Sequence, residues 1–96
     1  MISLKFDTEV IYWRGPAPFY FAPVPEAQVK NIKEISSQLS YGWGVIPARV
    51  KIGKTEFTTS LFPRQGGYLV PIKNLVREAE GIDVDDKVVV QLFFGD

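Results

Sequence analysis

The stretch IPARVKIGKTEFTTSL, residues 46–61, decides the fold. Ile46, Ala48, Val50 and Ile52 alternate with Pro47, Arg49 and Lys51, and after Gly53-Lys54 the apolar parity continues through Phe57 and Leu61. Period-two alternation marks half-buried strands, and a two-residue turn with glycine first favours a type II′ hairpin. Pairing across the turn sets Ile52 opposite Thr55, Val50 opposite Phe57, Ala48 opposite Thr59 and Ile46 opposite Leu61 on the core face. The outer face then pairs Lys51 with Glu56 and Arg49 with Thr58. Two parities agree on one register, and a one-residue slip would turn all of those apolar side chains to water.

Toward the N-terminus, Ile2, Leu4, Phe6, Val10 and Tyr12 share one parity against Ser3, Lys5, Asp7 and Glu9. Such a strand would run about 40 Å, longer than a small domain is wide, so it must bend, near residues 7–9. Gly15, Pro16 and Pro18 break it, and Phe19-Tyr20-Phe21 resumes a short strand. Pro25 and Glu26 suit the first turn of a helix, and Val29, Ile32, Ile35 and Leu39 form one stripe, giving an amphipathic helix over 25–39. Toward the C-terminus, residues 63–67 are a turn by composition, and Tyr68, Val70 and Ile72 alternate again. Residues 73–80 form a short helix closed by Gly81, with Leu75 and Ala79 inward. After a turn at Asp85-Asp86, the strand of residues 87–94 carries apolar residues on both sides, as a central strand or a subunit contact does. About six strands and two short helices predict a mainly β chain, one closed or nearly closed small β-barrel domain over residues 1–96, in which a bent strand serves two parts of the wall.

Composition narrows the chemistry. The 96 residues contain no cysteine and no histidine, which removes disulfides, thiolate and imidazole chemistry and the usual zinc ligand sets. No apolar run spans a bilayer and the N-terminus does not read as a signal peptide, so a cytoplasmic protein without membrane contact is expected. The zero net charge hides a division along the chain. Residues 41–77 carry Arg49, Lys51, Lys54, Arg64, Lys73 and Arg77 against Glu56 alone, whereas residues 78–96 carry Lys87 against six acids. Either the middle is a surface for anions, or the acidic tail folds back and neutralises it.

The pieces Gly42-Trp43-Gly44, Pro47-Ala48-Arg49-Val50-Lys51-Ile52-Gly53, Thr59-Ser60-Leu61-Phe62-Pro63 and Gly67-Tyr68-Leu69-Val70-Pro71-Ile72-Lys73 together resemble a known family. So does the ending from Val76-Arg77 through Gly81-Ile82 to Asp86-Lys87-Val88. Over essentially the whole chain the sequence is similar to domain-of-unknown-function family 1905, small bacterial β-barrel proteins without established activity. The resemblance implies a barrel and transfers no mechanism. Asp85 stands where relatives often carry glycine, which leaves the shape of the last turn open. The segment from Gly81 to Val90 is also similar to swapped-hairpin transition-state regulators that bind DNA, a pattern that any helix, turn and strand shares.

Candidate functional residues follow from charge and aromaticity. Arg49, Arg64, Lys73 and Arg77 have no obvious local partner, and Trp43 and Tyr68 supply stacking surfaces. Gly66-Gly67 beside Arg64 could cradle a phosphate, but no phosphate-loop or dinucleotide pattern surrounds it, and a permissive hairpin loop is the better reading. Ser60 lacks a nucleophile elbow and an activating histidine, and no carboxylate pair has acid–base spacing, so no catalytic residue, metal ligand or cofactor is assigned. The leading expectation is a non-enzymatic binding module for an anionic ligand or nucleic acid, through Trp43, Arg49, Ser60, Arg64, Tyr68, Lys73 and Arg77. The alternatives are a small-molecule or enzymatic pocket at the barrel mouth around Trp43, Thr59, Ser60 and Arg64, and an interaction or assembly domain, a homodimer included.

Overall fold

A computed structural model describes residues 2–14, 18–39 and 46–94. Seven strands form one sheet: β1 (Ile2–Glu9), β2 (Ile11–Arg14), β3 (Pro18–Pro23), β4 (Ile46–Ile52), β5 (Thr55–Arg64), β6 (Gly67–Ile72) and β7 (Lys87–Phe94), in the order β1-β7-β4-β5-β6-β3-β2. Helix α1 (Glu26–Leu39) follows β3, and α2 (Asn74–Glu80) follows β6. The extra strand relative to the expected six comes from the N-terminal run, which Val10 divides. Its two halves lie at opposite edges of the sheet, and among the described residues no ladder joins them, so the sheet is an open half-barrel rather than a closed barrel.

The bend falls at Val10, just beyond the expected residues 7–9. Val10 is fully buried, and its backbone pairs with the last turn, donating to Asp86 O at 2.8 Å and accepting from Asp85 N at 2.8 Å. Asp85 adopts φ 70°, a left-handed conformation that a short polar side chain tolerates better than most. Nearby, the Thr8 hydroxyl donates to Pro23 O at 2.6 Å, tying the end of β1 to the end of β3.

The central hairpin has the register read from its two parities, from Ile46↔Leu61 to Ile52↔Thr55, and Gly53 takes φ 60°. The second hairpin turns tighter than composition suggests. β5 runs on through Pro63 to Arg64, and only Gln65 and Gly66, at φ 50° and 79°, make the turn. Pro63 lies opposite Tyr68 of β6, and among the described residues β5 pairs with β4 only as far as Leu61.

The concave face holds the core, in which Ile46, Val50, Leu61, Val70, Val90 and Leu92 are fully buried. Val29 and Ile32 of α1 close over it, while the side chains of Ile35 and Leu39, expected on the same stripe, lie outside the described residues. Helix α2 ends at Gly81, φ 64°, whose N–H returns to Arg77 O, as expected. Its buried face is different from the expected one. Val76 is buried, whereas Leu75 is 77% exposed and Ala79 also faces water. β7 lies inside the sheet between β1 and β4, with Phe94 buried in the core and Phe93 half-buried on the far side. No helix among the described residues is long and apolar enough to cross a membrane.

Candidate binding surface

Alternation fixes what the convex face presents. Ile46, Ala48, Val50 and Ile52 point to the core, so Arg49 and Lys51 point away, and on β5 the outward row is Glu56, Thr58, Ser60, Phe62 and Arg64. The register carries the same face from Phe62 to Leu69 and Pro23, and from Pro71 to Phe21 and Ile11, with Trp13 two residues further along β2. An aromatic cluster forms there. The ring of Trp13 lies 6.0 Å from Phe21 and 6.1 Å from Phe62, and Phe21 lies 6.3 Å from Phe62, all tilted. Phe21 and Leu69 are buried on this outward face, so the cluster shields its own base, while Trp13 and Phe62 remain 36% and 43% exposed.

Two arginines lie on rings of this face. The Arg64 guanidinium sits 4.3 Å over Trp13, and that of Arg49 4.9 Å over Phe93. Such cation–π contacts contribute about 0.5–1 kcal/mol at exposed sites. Arg49 Nε also lies 3.7 Å from Glu56 Oε1. The carboxylate expected to face Lys51 is therefore taken diagonally by the arginine. Among the described residues, Arg64 has no carboxylate partner.

The acidic tail does fold back, but locally. Arg77 stacks 3.4 Å from the Tyr20 ring centroid, donates to Ile82 O at 3.2 Å and lies 3.6 Å from Asp83 Oδ1. The Glu80 carboxylate receives the Thr55 hydroxyl at 2.6 Å and Lys54 N–H at 3.2 Å, clasping the tip of the central hairpin.

Residues 6–92 match DUF1905, a domain of unknown function. The chain belongs to the DUF1905 family. No curated protein matches it. The matched span includes the Trp13, Phe21 and Phe62 cluster and all of β2 to β6, and ends one residue before Phe93.

Within this DUF1905 chain the residues singled out from sequence fall into separate places. Arg49, Ser60 and Arg64 share the outward face. Tyr68 packs against the core cluster, Arg77 is held by Tyr20 and Asp83, and Lys73 is exposed as the N-cap of α2. Trp43 lies outside the described residues. Thr59 and Ser60 point to opposite sides of β5, so these two do not line one pocket. An open depression of about 450 Å³ lies between α1 and the β5–β6 turn, lined by Glu26, Val29, Lys30, Lys33, Glu34 and Gly66 with opposite charges in balance. Among the described residues no cluster of three or more carboxylates could hold a metal ion.

Sequence reasoning missed Trp13, Phe62 and Phe21. A signal was there: the doublets Tyr12-Trp13, Leu61-Phe62, Leu69-Val70 and Phe93-Phe94 put an apolar residue on each side of a strand, which marks a second apolar face.

Proposed function

We propose that this chain is a non-enzymatic binding module of one β domain, and that its convex sheet face takes an anionic ligand. One observation carries the reading: Arg64 lies over the half-exposed Trp13 ring with Phe62 beside it, and among the described residues no carboxylate neutralises it. A guanidinium over an aromatic ring spends none of its N–H donors on a carboxylate, so they can serve phosphate or carboxylate oxygens. Ser60 and Thr58 add exposed hydroxyls to the same row of β5, and Arg49 and Lys51 add positive charge on β4. The test is affinity for heparin and for mixed-sequence nucleic acid at low and moderate salt. The expected result is binding that falls steeply as salt rises, as counterion release requires, and that weakens in Arg64→Gln without loss of melting temperature. Absence of binding at about 50 mM salt, where such contacts are strong, refutes it.

The exposure of Trp13 and Phe62 also favours a second reading, an interaction or assembly domain that covers these rings with another polypeptide. Concentration-dependent self-association, abolished by Trp13→Ser, would support it over the first.

A further inference from the structure

Resting on the anionic-ligand reading above, we propose that the ligand is single-stranded nucleic acid, with bases stacked on Trp13 and Phe62 and the phosphate backbone following the outward row of β5. An anion alone calls for cations and gains nothing from exposed rings. Here cations and rings are interleaved: Arg64 lies on Trp13 beside Phe62, and Arg49 lies on Phe93. Sequence-tolerant binding of unpaired strands uses this combination, because every base has a face to stack and every linkage carries a charge. A duplex hides its base faces, so it would meet only the charges of this surface.

The layout suits an extended strand. Outward side chains of β5 repeat roughly every 6.7 Å, so Thr58, Ser60, Phe62 and Arg64 span about 20 Å, near the short end of known single-strand sites. Hydroxyls and the guanidinium along this row donate to phosphate oxygens, and the one carboxylate of the row, Glu56, stands at its far end against Arg49. Charge therefore favours an anionic polymer along the half of the row that holds the rings. A protein partner fits less well. Among the described residues Phe21 and Leu69 are already buried by the chain itself, and the exposed rings of the cluster, Trp13 and Phe62, are flanked by polar groups rather than by the apolar core of a stable protein interface.

The experiment uses the full chain carrying Trp43→Phe, so that Trp13 is the only indole. Oligothymidylate of about a dozen nucleotides, the same strand in duplex form, and heparin are titrated at one ionic strength, following indole fluorescence and affinity. The expected result is saturable quenching of Trp13 by the single strand, weaker binding of the duplex, and heparin binding without that quenching. Phe62→Ala then loses about tenfold in affinity for the single strand and little for heparin, and Phe62→Tyr, which keeps the ring, restores it. Equal affinity for heparin and oligothymidylate, with no quenching and no effect of Phe62→Ala, overturns this proposal and leaves the anionic-ligand reading standing. Failure of all three probes to bind overturns both. Chain self-association through Trp13 and Phe62 that excludes the oligonucleotide overturns both in favour of a second copy as occupant.

Discussion

Gly53→Ala should show that the central hairpin and α2 are energetically one unit. At φ 60° an alanine adopts a left-handed backbone that costs about 1–2 kcal/mol. Its Cβ would also lie within 2.7 Å of the Glu80 Cδ, on the carboxylate that holds the hairpin tip. Glu80 is flexible enough to move away, but in doing so it gives up the bonds from the Thr55 hydroxyl at 2.6 Å and Lys54 N–H at 3.2 Å. Hydrogen bonds to charged groups contribute about 1.5–3 kcal/mol, and with one partner exposed and the other half-buried the two together are worth about 2 kcal/mol. Gly53→Ala should therefore cost about 3–4 kcal/mol, and Glu80→Ala about 2 kcal/mol. In the double variant the new methyl meets no carboxylate, so the total stays at about 3–4 kcal/mol, a coupling of about 2 kcal/mol. Urea unfolding of the four proteins, with m unchanged, measures the cycle directly. Costs that add to within ~0.5 kcal/mol would refute the clasp.

Other outcomes follow from the same geometry. Val50→Asp, which places an unpaired charge in a fully buried position, should cost several kcal/mol, whereas exposed Lys51→Ala should cost under ~1 kcal/mol; equal melting temperatures would refute the register. Val76→Ala should lose roughly 2 kcal/mol in urea unfolding and Leu75→Ala under ~0.5 kcal/mol, the reverse of what the expected inward face of α2 requires. Arg77→Gln should destabilise by about 1–2 kcal/mol through loss of Tyr20 and Asp83 contacts while leaving polyanion affinity unchanged, and Arg64→Gln should do the opposite.

The central hairpin was legible because two strands constrain each other: an error in either parity would have spoiled the other. The N-terminal strand showed that it must bend because its length exceeded the domain. Where it bends was less legible, since Val10 is fixed by backbone pairing with residues 85 and 86, a contact no local pattern reveals. Helix α2 has seven residues, under two turns, and its adjacent Leu75 and Val76 leave the buried stripe ambiguous; Ile82, buried just beyond the Gly81 cap, sets the side that packs. Of the candidate site, Arg49, Ser60 and Arg64 were legible from charge and alternation. The summed charge of residues 41–77 was misleading because that segment crosses both faces of the sheet, so Arg77 meets the acidic tail and Arg64 does not. Trp13 reaches Arg64 across three intervening elements, which only the sheet order brings together.

We propose the convex face, and not the core side or the helices, as the binding surface. Titrating the isotopically labelled chain with oligothymidylate and following backbone amide shifts locates the contact residue by residue. Perturbations should concentrate on β2 and on β5 from Thr58 to Arg64, together with the Trp13 indole N–H. Shifts concentrated on α1 or α2, or none at all at low salt, would contradict it.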